Sequence, residues 1–324
     1  MLSGTSLKFI KEELEKLDAV ICENLTSDVE LVGEVGRYTI ASGGKRIRPL
    51  ILIFAAKSSG FEPAELYELA AAIELIHTAT LLHDDVVDES GSRRGKPTAN
   101  VSFGNAAAVL VGDFLYSRAF QLMVRVGKND VFSIMADATN SISEGEILQL
   151  SQVGNMDITE ESYFEIIDAK TSRLFQAASQ LGAVISERND DEVKGFLEYG
   201  MHLGAAFQIM DDVLDYVGQK SELGKNLGDD LLEGKLTLPI IHFLRNATQG
   251  ERHQIESALS GRHKDASLLG QVTALIEHSG SIDYSKSLAN LQVELALKSI
   301  NFLPETIYKE ILCDFARSAV TRDR

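Results

Sequence analysis

Three aspartates close an apolar stretch in "LLHDDVVDES", at positions 84, 85 and 88, and "IMDDVLDYVG" repeats the spacing at 211, 212 and 215. On a helix, residues four apart stand one above the other, so Asp84 and Asp88 share a face, as do Asp211 and Asp215. Like charges so placed destabilise a helix, and near its C-terminal end the peptide dipoles oppose them too. One such cluster reads as a solvated acidic surface. Two of identical spacing, each on an apolar helix, read better as walls for hard divalent cations formed by Asp84, Asp85, Asp88, Asp211, Asp212 and Asp215. Mg²⁺ takes few protein carboxylates and keeps positions open for phosphate oxygens, so two facing walls suit one diphosphate held through several ions.

Such a site also needs cations. "GGKRIRP" offers Lys45, Arg46 and Arg48 after a glycine pair, and "SRRGKPT" sets Arg93 and Arg94 behind the first acidic cluster. "AKTSR" supplies Lys170 and Thr171, and "GKNLGDDLLEGK" places Lys225 and Lys235 after the second cluster. Taken singly, each is an ordinary surface charge. Arginine grips phosphate as a bidentate fork, whereas lysine acts as a point charge. The cations fall into two groups, which predicts two anions and a reaction between two diphosphate esters.

The elements that must carry these residues are helical. Good helix formers fill the stretches between five prolines at 49, 63, 97, 239 and 304. Apolar residues recur at three and four, as in Leu66, Leu69, Ile73, Ile76, Thr80 and Leu81. The pattern predicts an all-α chain with helices over 5–26, 28–42, 47–59, 63–88, 103–127, 130–152, 159–183, 190–218, 235–247, 250–259, 265–278, 280–299 and 304–318. Loops are expected near 89–98, 153–157 and 218–234. No linker rich in Pro, Gly or Ser divides the chain, so 1–324 is read as a single domain.

Composition bounds the rest. With 324 residues, 44% hydrophobic and 24% charged, the chain is an ordinary globular protein able to bury a core without staples. A formal net charge of −17 makes nucleic acid an unfavourable partner, while a local cationic pocket for a small anion remains open. Cys22 and Cys313, with no CxxC, read as reduced thiols of a cytoplasmic protein. The N-terminus has no basic segment followed by an apolar one, and "PLILIFAA" is too short to cross a bilayer. A soluble protein, at most touching a membrane surface, is expected.

Other metal and phosphate chemistries fit less well. The nearest approach to a phosphate-binding P-loop, Gly228 to "GKL", has the wrong gap and lacks the hydroxyl. A di-iron bundle needs two ExxH pairs, and "ELIH" is one alone. His77 and His83 with Asp84 suit a metal phosphohydrolase, but that leaves the second cluster and "GGKRIRP" without a role.

The segments "GGKRIRP", "ELIHTATLLHDDVVDESGSRRGKPTAN", "GDFLYSRAF", "EGEILQL", "AKTSRLF", "FQIMDDVLDY" and "GKNLGDDLLEGKLTLP" resemble trans-type polyprenyl diphosphate synthases, in that family's order and across most of the chain. The resemblance implies a helical bundle around a deep central cavity, a homodimer and about three Mg²⁺ ions. It implies an allylic diphosphate held through Mg²⁺ by the six aspartates, with Arg93, Lys170, Thr171, Gln208, Lys225 and Lys235 assisting. Isopentenyl diphosphate would lie on Lys45, Arg48, His77 and Arg94. The implied reaction joins the two head to tail, one isoprene unit per cycle. A terpene cyclase would share the acidic walls without needing "GGKRIRP". The catalytic subunit of a two-component heptaprenyl synthase is a further alternative.

Product length follows from the helix that ends at Asp84. A helix over 63–88 is about 39 Å long, enough to flank many isoprene units. Short-chain relatives block the tail with Phe or Tyr one turn below the motif, where this chain has Ala79 and Thr80. The tunnel is therefore expected to stay open to a floor at Met123, Phe132 and Met135. Their spacing resembles octaprenyl synthases, which supply quinone side chains, so an octaprenyl product is favoured within a range from heptaprenyl to decaprenyl.

Overall fold

Helices that are apolar all round must lie inside, and two segments qualify. "PLILIFAAKS" is buried from Pro49 to Ser58, and 13 residues between Leu66 and Asp85 are buried on the next helix. The computed structural model describes residues 4–60, 65–217, 228–260 and 266–321. Around these two central helices, α3 (Ile47–Ser58) and α4 (Leu66–Val87), stand α1 (Gly4–Asn24) and α2 (Glu30–Ala41). There follow α5 (Ala99–Phe103), α6 (Asn105–Val126), α7 (Asn129–Ser151) and α8 (Glu160–Ile167). A π-helical segment, Asp168–Ser172, leads into α9 (Arg173–Ile185) and the long α10 (Asp190–Val217). The remainder is α11 (Asp229–Leu232), α12 (Leu238–Leu244), α13 (Gln249–Ser260), α14 (Ala266–His278), α15 (Ser281–Ser299) and α16 (Ile307–Thr321). The expected all-α class holds.

α4 packs along α6, α3 along α9, and α10 between α9 and α15. One apolar cluster joins α4, α6, α7 and α9 and includes Ala79, Met123 and Met135. A second surrounds Phe54, Phe175 and Tyr199, and a third lies under α8, α10 and α12. The buried Glu13 carboxylate ties α1 to the centre, accepting from Lys57 at 2.8 Å and from the Tyr67 hydroxyl at 2.7 Å.

Besides the short α11 inside the loop expected over 218–234, three local features differ from the sequence reading. The helix expected over 103–127 runs unbroken as Asn105–Val126, and Gly104, whose φ of 88° no helix accepts, parts it from the unexpected short α5. The loop at 89–98 contains a two-residue hairpin, β1 (Ser92–Arg93) against β2 (Lys96–Pro97), turning through Arg94 (φ 54°) and Gly95 (φ 75°). Positive φ at both turn residues matches the twist of a tight hairpin, but arginine at the first gives no sequence signal for one. The third is the π segment inside the helix expected over 159–183. There Gly145 of α7 and Gly204 of α10 let their backbones close in. A Cβ on Gly145 would stand 2.8 Å from Lys170 N, and one on Gly204 2.6 Å from Ser172 Cα. Single π turns recur where a side chain must be re-aimed, and this one carries Lys170 and Thr171.

Candidate active site

α4 and α10 each end in an acidic cluster, and a lysine far along the chain connects them. Lys235 Nζ donates to Asp88 Oδ2 at 2.7 Å and to Glu233 Oε2 at 2.9 Å. Its own backbone N–H bonds to Asp230, and the Asp230 N–H reaches Asp215 Oδ2 at 3.3 Å. The segment that follows the second cluster thus runs back to the first, and the two residues that make these contacts, Asp230 and Lys235, both line one cleft. Burial would lower the Lys235 pKa, but its bonds to Asp88 and Glu233 raise it, so it stays charged.

Not every aspartate faces that cleft. Asp84, Asp88 and Asp215 are half-buried and Asp211 is exposed. Asp85 and Asp212, both expected in the metal walls, are only 4% and 2% exposed and are tied to protein side chains; Asp212 lines the cleft and Asp85 does not. Arg93 donates to Asp85 Oδ1 from Nε at 3.0 Å and from Nη2 at 2.8 Å. Asp212 accepts the Tyr163 hydroxyl at 2.6 Å and Gln208 Nε2 at 2.7 Å. The reason is helix geometry: the second aspartate of each motif is rotated by about 100° from the first, whereas the residue four along is nearly aligned.

The cleft has a volume of about 690 Å³, and Lys170, Thr171, Gln208, Asp212 and Lys235 line it beside Tyr163 and Gln149. Lys170 Nζ donates to Glu146 Oε2 at 2.6 Å and to Gln149 Oε1 at 2.9 Å. Burial, with Glu146 and Asp88, pushes the Asp84 carboxyl up to about 7 against the pull of Lys170 and Arg93. A carboxylate wall held in that state gains from a cation. Among the described residues no three His, Cys, Asp or Glu side chains converge closely enough to hold an ion alone.

A second hollow of about 500 Å³ lies against α4, lined by Arg46, His77, Arg93 and Arg94 with Glu74 and Asp85. Arg46 reaches Glu74 at 2.7 Å from a left-handed backbone, φ 48°. Arg48 lies over the Phe175 ring, 4.3 Å from its centroid, and donates Nη1 to His77 Nε2 at 3.1 Å. Its buried Nε has no partner. Burial pushes the Arg48 pKa down to about 10, with Glu74 and Asp211 opposing. Burial and the four arginines hold His77 well below its usual value, so the ring is neutral and accepts. This clustering of guanidinium groups beside a neutral histidine suits an anion. Asp211 acts on both Arg48 and Arg94, which sets the second acidic cluster next to this hollow.

Lys45 is exposed on the loop beside its glycine pair, and Lys225 lies outside the described residues. Ala79, Met123 and Met135 are fully buried in one apolar cluster, with half-buried Phe132 against it. Thr80 is half-buried and donates its hydroxyl to the His77 carbonyl at 2.9 Å. Sequence reasoning gave no role to Glu74, Glu146, Gln149 or Tyr163. Glu146 and Gln149 sit three apart in "EGEILQL", a spacing that puts both on one helix face.

Residues 29–276 match the polyprenyl synthetase family. The chain belongs to that family. It is 46% identical over 316 residues to the octaprenyl diphosphate synthase of Escherichia coli (strain K12), covering 97% of each chain. It is 43% identical to the all-trans-nonaprenyl-diphosphate synthase (geranyl-diphosphate specific) of Rhodobacter capsulatus, covering 97% of this chain and 96% of that one. A crystal structure of the Caulobacter crescentus CB15 polyprenyl synthase, complexed with calcium and isoprenyl diphosphate, superposes with a TM-score of 0.95. That chain is 39% identical, over 98% of this chain and 97% of its own. This polyprenyl synthetase is therefore a divalent-metal-dependent prenyltransferase, and its all-α architecture is the family's.

Proposed function

We propose that the chain condenses isopentenyl diphosphate with an allylic primer, farnesyl or geranylgeranyl diphosphate, and repeats the step to octaprenyl diphosphate. The observation that carries this reading is the bond from Lys235 to Asp88, which brings the segment after the second acidic cluster onto the first, beside a separate arginine pocket. About three Mg²⁺ ions would be held by Asp84 and Asp88 on one wall and Asp211 and Asp215 on the other. When bound, they neutralise the charge that develops on the departing diphosphate. Lys170 and Lys235 reach the same oxygens as point charges, and Gln208 and Thr171 flank the carbon being uncovered. Lys225 is assigned to this group from its sequence alone.

Arg48, Arg94, His77 and Lys45 hold the diphosphate of isopentenyl diphosphate, so that its double bond is presented to the allylic cation. The proton then lost passes to the released diphosphate. Apolar residues along α4 and α6 keep water from the cation. The growing tail lies on Ala79 and Thr80 and extends towards Met123, Phe132 and Met135. That product suits a quinone side chain made in the cytoplasm.

The deciding experiment incubates the pure protein with Mg²⁺, farnesyl diphosphate and labelled isopentenyl diphosphate and sizes the products. An eight-unit chain is expected. Conversion of the allylic diphosphate alone, with no elongation, would instead indicate a cyclase, and elongation only on adding a second subunit would indicate a two-component synthase. Arg48→Met should raise the KM for isopentenyl diphosphate by about tenfold or more, because a buried charge-assisted contact is lost, with a smaller effect on the primer. Equal effects on both substrates would remove Arg48 from that pocket.

A homodimer is part of the same reading. α6 is long and apolar enough to cross a membrane by composition, yet one face is buried against α4. Its other face exposes Leu110, Phe120 and Val124, and α7 adds Ile147 and Leu150. An apolar surface of that extent fits a second copy of the chain. A monomeric mass by light scattering at micromolar concentration would refute it.

A further inference from the structure

A chain of hydrogen bonds runs from the third apolar cluster into the cleft. Tyr163, on α8 and 4% exposed, donates its hydroxyl to Asp212 Oδ2 at 2.6 Å. The other oxygen of that carboxylate, Oδ1, accepts Gln208 Nε2 at 2.7 Å. Gln208 Oε1 in turn accepts the Thr171 hydroxyl at 2.9 Å. All four side chains line the cleft that Lys170 and Lys235 share.

The chemistry of its members gives this chain a direction. Both Asp212 oxygens accept, so Gln208 turns its NH₂ towards Asp212 and its carbonyl towards Thr171. The single hydrogen of the Thr171 hydroxyl is then committed to that carbonyl, and the oxygen is left to present lone pairs. A free hydroxyl would offer its hydrogen as readily as its lone pairs. The π segment sets Thr171 directly after Lys170, and both line the cleft.

We propose that Tyr163 is a positioning residue for the condensation, acting through Asp212 and Gln208 to fix the Thr171 hydroxyl with its lone pairs towards the reacting allylic carbon. This rests on the reading of the cleft as the allylic diphosphate site. When the C–O bond breaks, its electron pair leaves with the diphosphate and positive charge spreads over the allylic carbons. An oxygen already turned the right way stabilises that charge without reorganising during the reaction. Asp212, a member of the second acidic motif, therefore orients a dipole instead of facing the ions.

The test uses the full chain with Mg²⁺, farnesyl diphosphate and isopentenyl diphosphate. Wild-type protein that neither elongates nor consumes farnesyl diphosphate refutes the reading of the cleft before the chain of bonds is examined. Given an active wild type, Tyr163→Phe should lower kcat by about 10²-fold with both KM values within about threefold. Thr171→Val should lose at least as much, and Thr171→Ser, which keeps the hydroxyl, should stay close to wild type. The double variant Tyr163→Phe/Thr171→Val should be no slower than Thr171→Val alone, because nothing remains to be oriented. Losses that multiply, or a Tyr163→Phe enzyme with wild-type kcat, would overturn the proposal. A merely structural tyrosine would raise KM and give multiplying losses. If Tyr163→Phe does not fold, Gln208→Leu takes its place in the same double-variant comparison, and multiplying losses there count equally against it.

Discussion

Asp84→Ala is expected to lower kcat by about 10³-fold or more while the melting temperature holds or rises slightly. The two effects have one cause. Burial, Glu146 and Asp88 push the Asp84 carboxyl up to about 7, so the charge is costly in the protein without ions. Removing it relieves the wall and costs no folded-state contact of comparable size. The same removal deletes a ligand for the cations that offset charge on the leaving diphosphate, where electrostatic stabilisation is worth several kcal/mol. Asp212→Ala should behave oppositely in stability. It strands the buried Tyr163 hydroxyl and the Gln208 amide, at a cost of about 1–3 kcal/mol each. Steady-state kinetics and calorimetry on the two variants check this. An Asp84→Ala enzyme within tenfold of wild type would remove α4 from the metal site.

Ala79→Tyr is expected to shorten the product by several isoprene units with initial condensation retained. Ala79 is fully buried in the cluster that also holds Met123 and Met135. It stands five residues before Asp84, about 7.5 Å along the helix axis, so a phenol ring there meets the tail after its first units. Thr80, one residue on and half-buried, belongs to the face that also carries His77 and Asp84. Overpacking at a filled site costs about 1–3 kcal/mol, which a helical core of this size withstands. Sizing the polyprenyl products after dephosphorylation gives the answer. Unchanged length would show that the tail takes another route.

The positions of the helices were largely legible because apolar residues recur at the helical period throughout, and the all-α class follows from that alone. Boundaries moved where a backbone preference is invisible in the side chain. Arg94 turns a hairpin and Arg46 adopts a left-handed conformation, both φ values that sequence assigns to glycine or asparagine. The π segment at Asp168–Ser172 was hidden for another reason. Its extra residue is accommodated by Gly145 and Gly204, which approach it from two separate helices.

The sequence by itself determined that two aspartate clusters of one spacing end two apolar helices, that several Lys and Arg stand near them, and that the family pattern runs through most of the chain. These are local facts, set by residue type and helical period. Only the tertiary structure decided which aspartate of each cluster stays at least partly exposed and which is buried against Arg93 or against Tyr163 and Gln208. It alone brought Lys235 to Asp88 and gathered Arg46, Arg48, Arg93 and Arg94 around His77. Those pairings join residues up to 147 positions apart, and their partners are chosen by how helices pack, which no single stretch of sequence encodes.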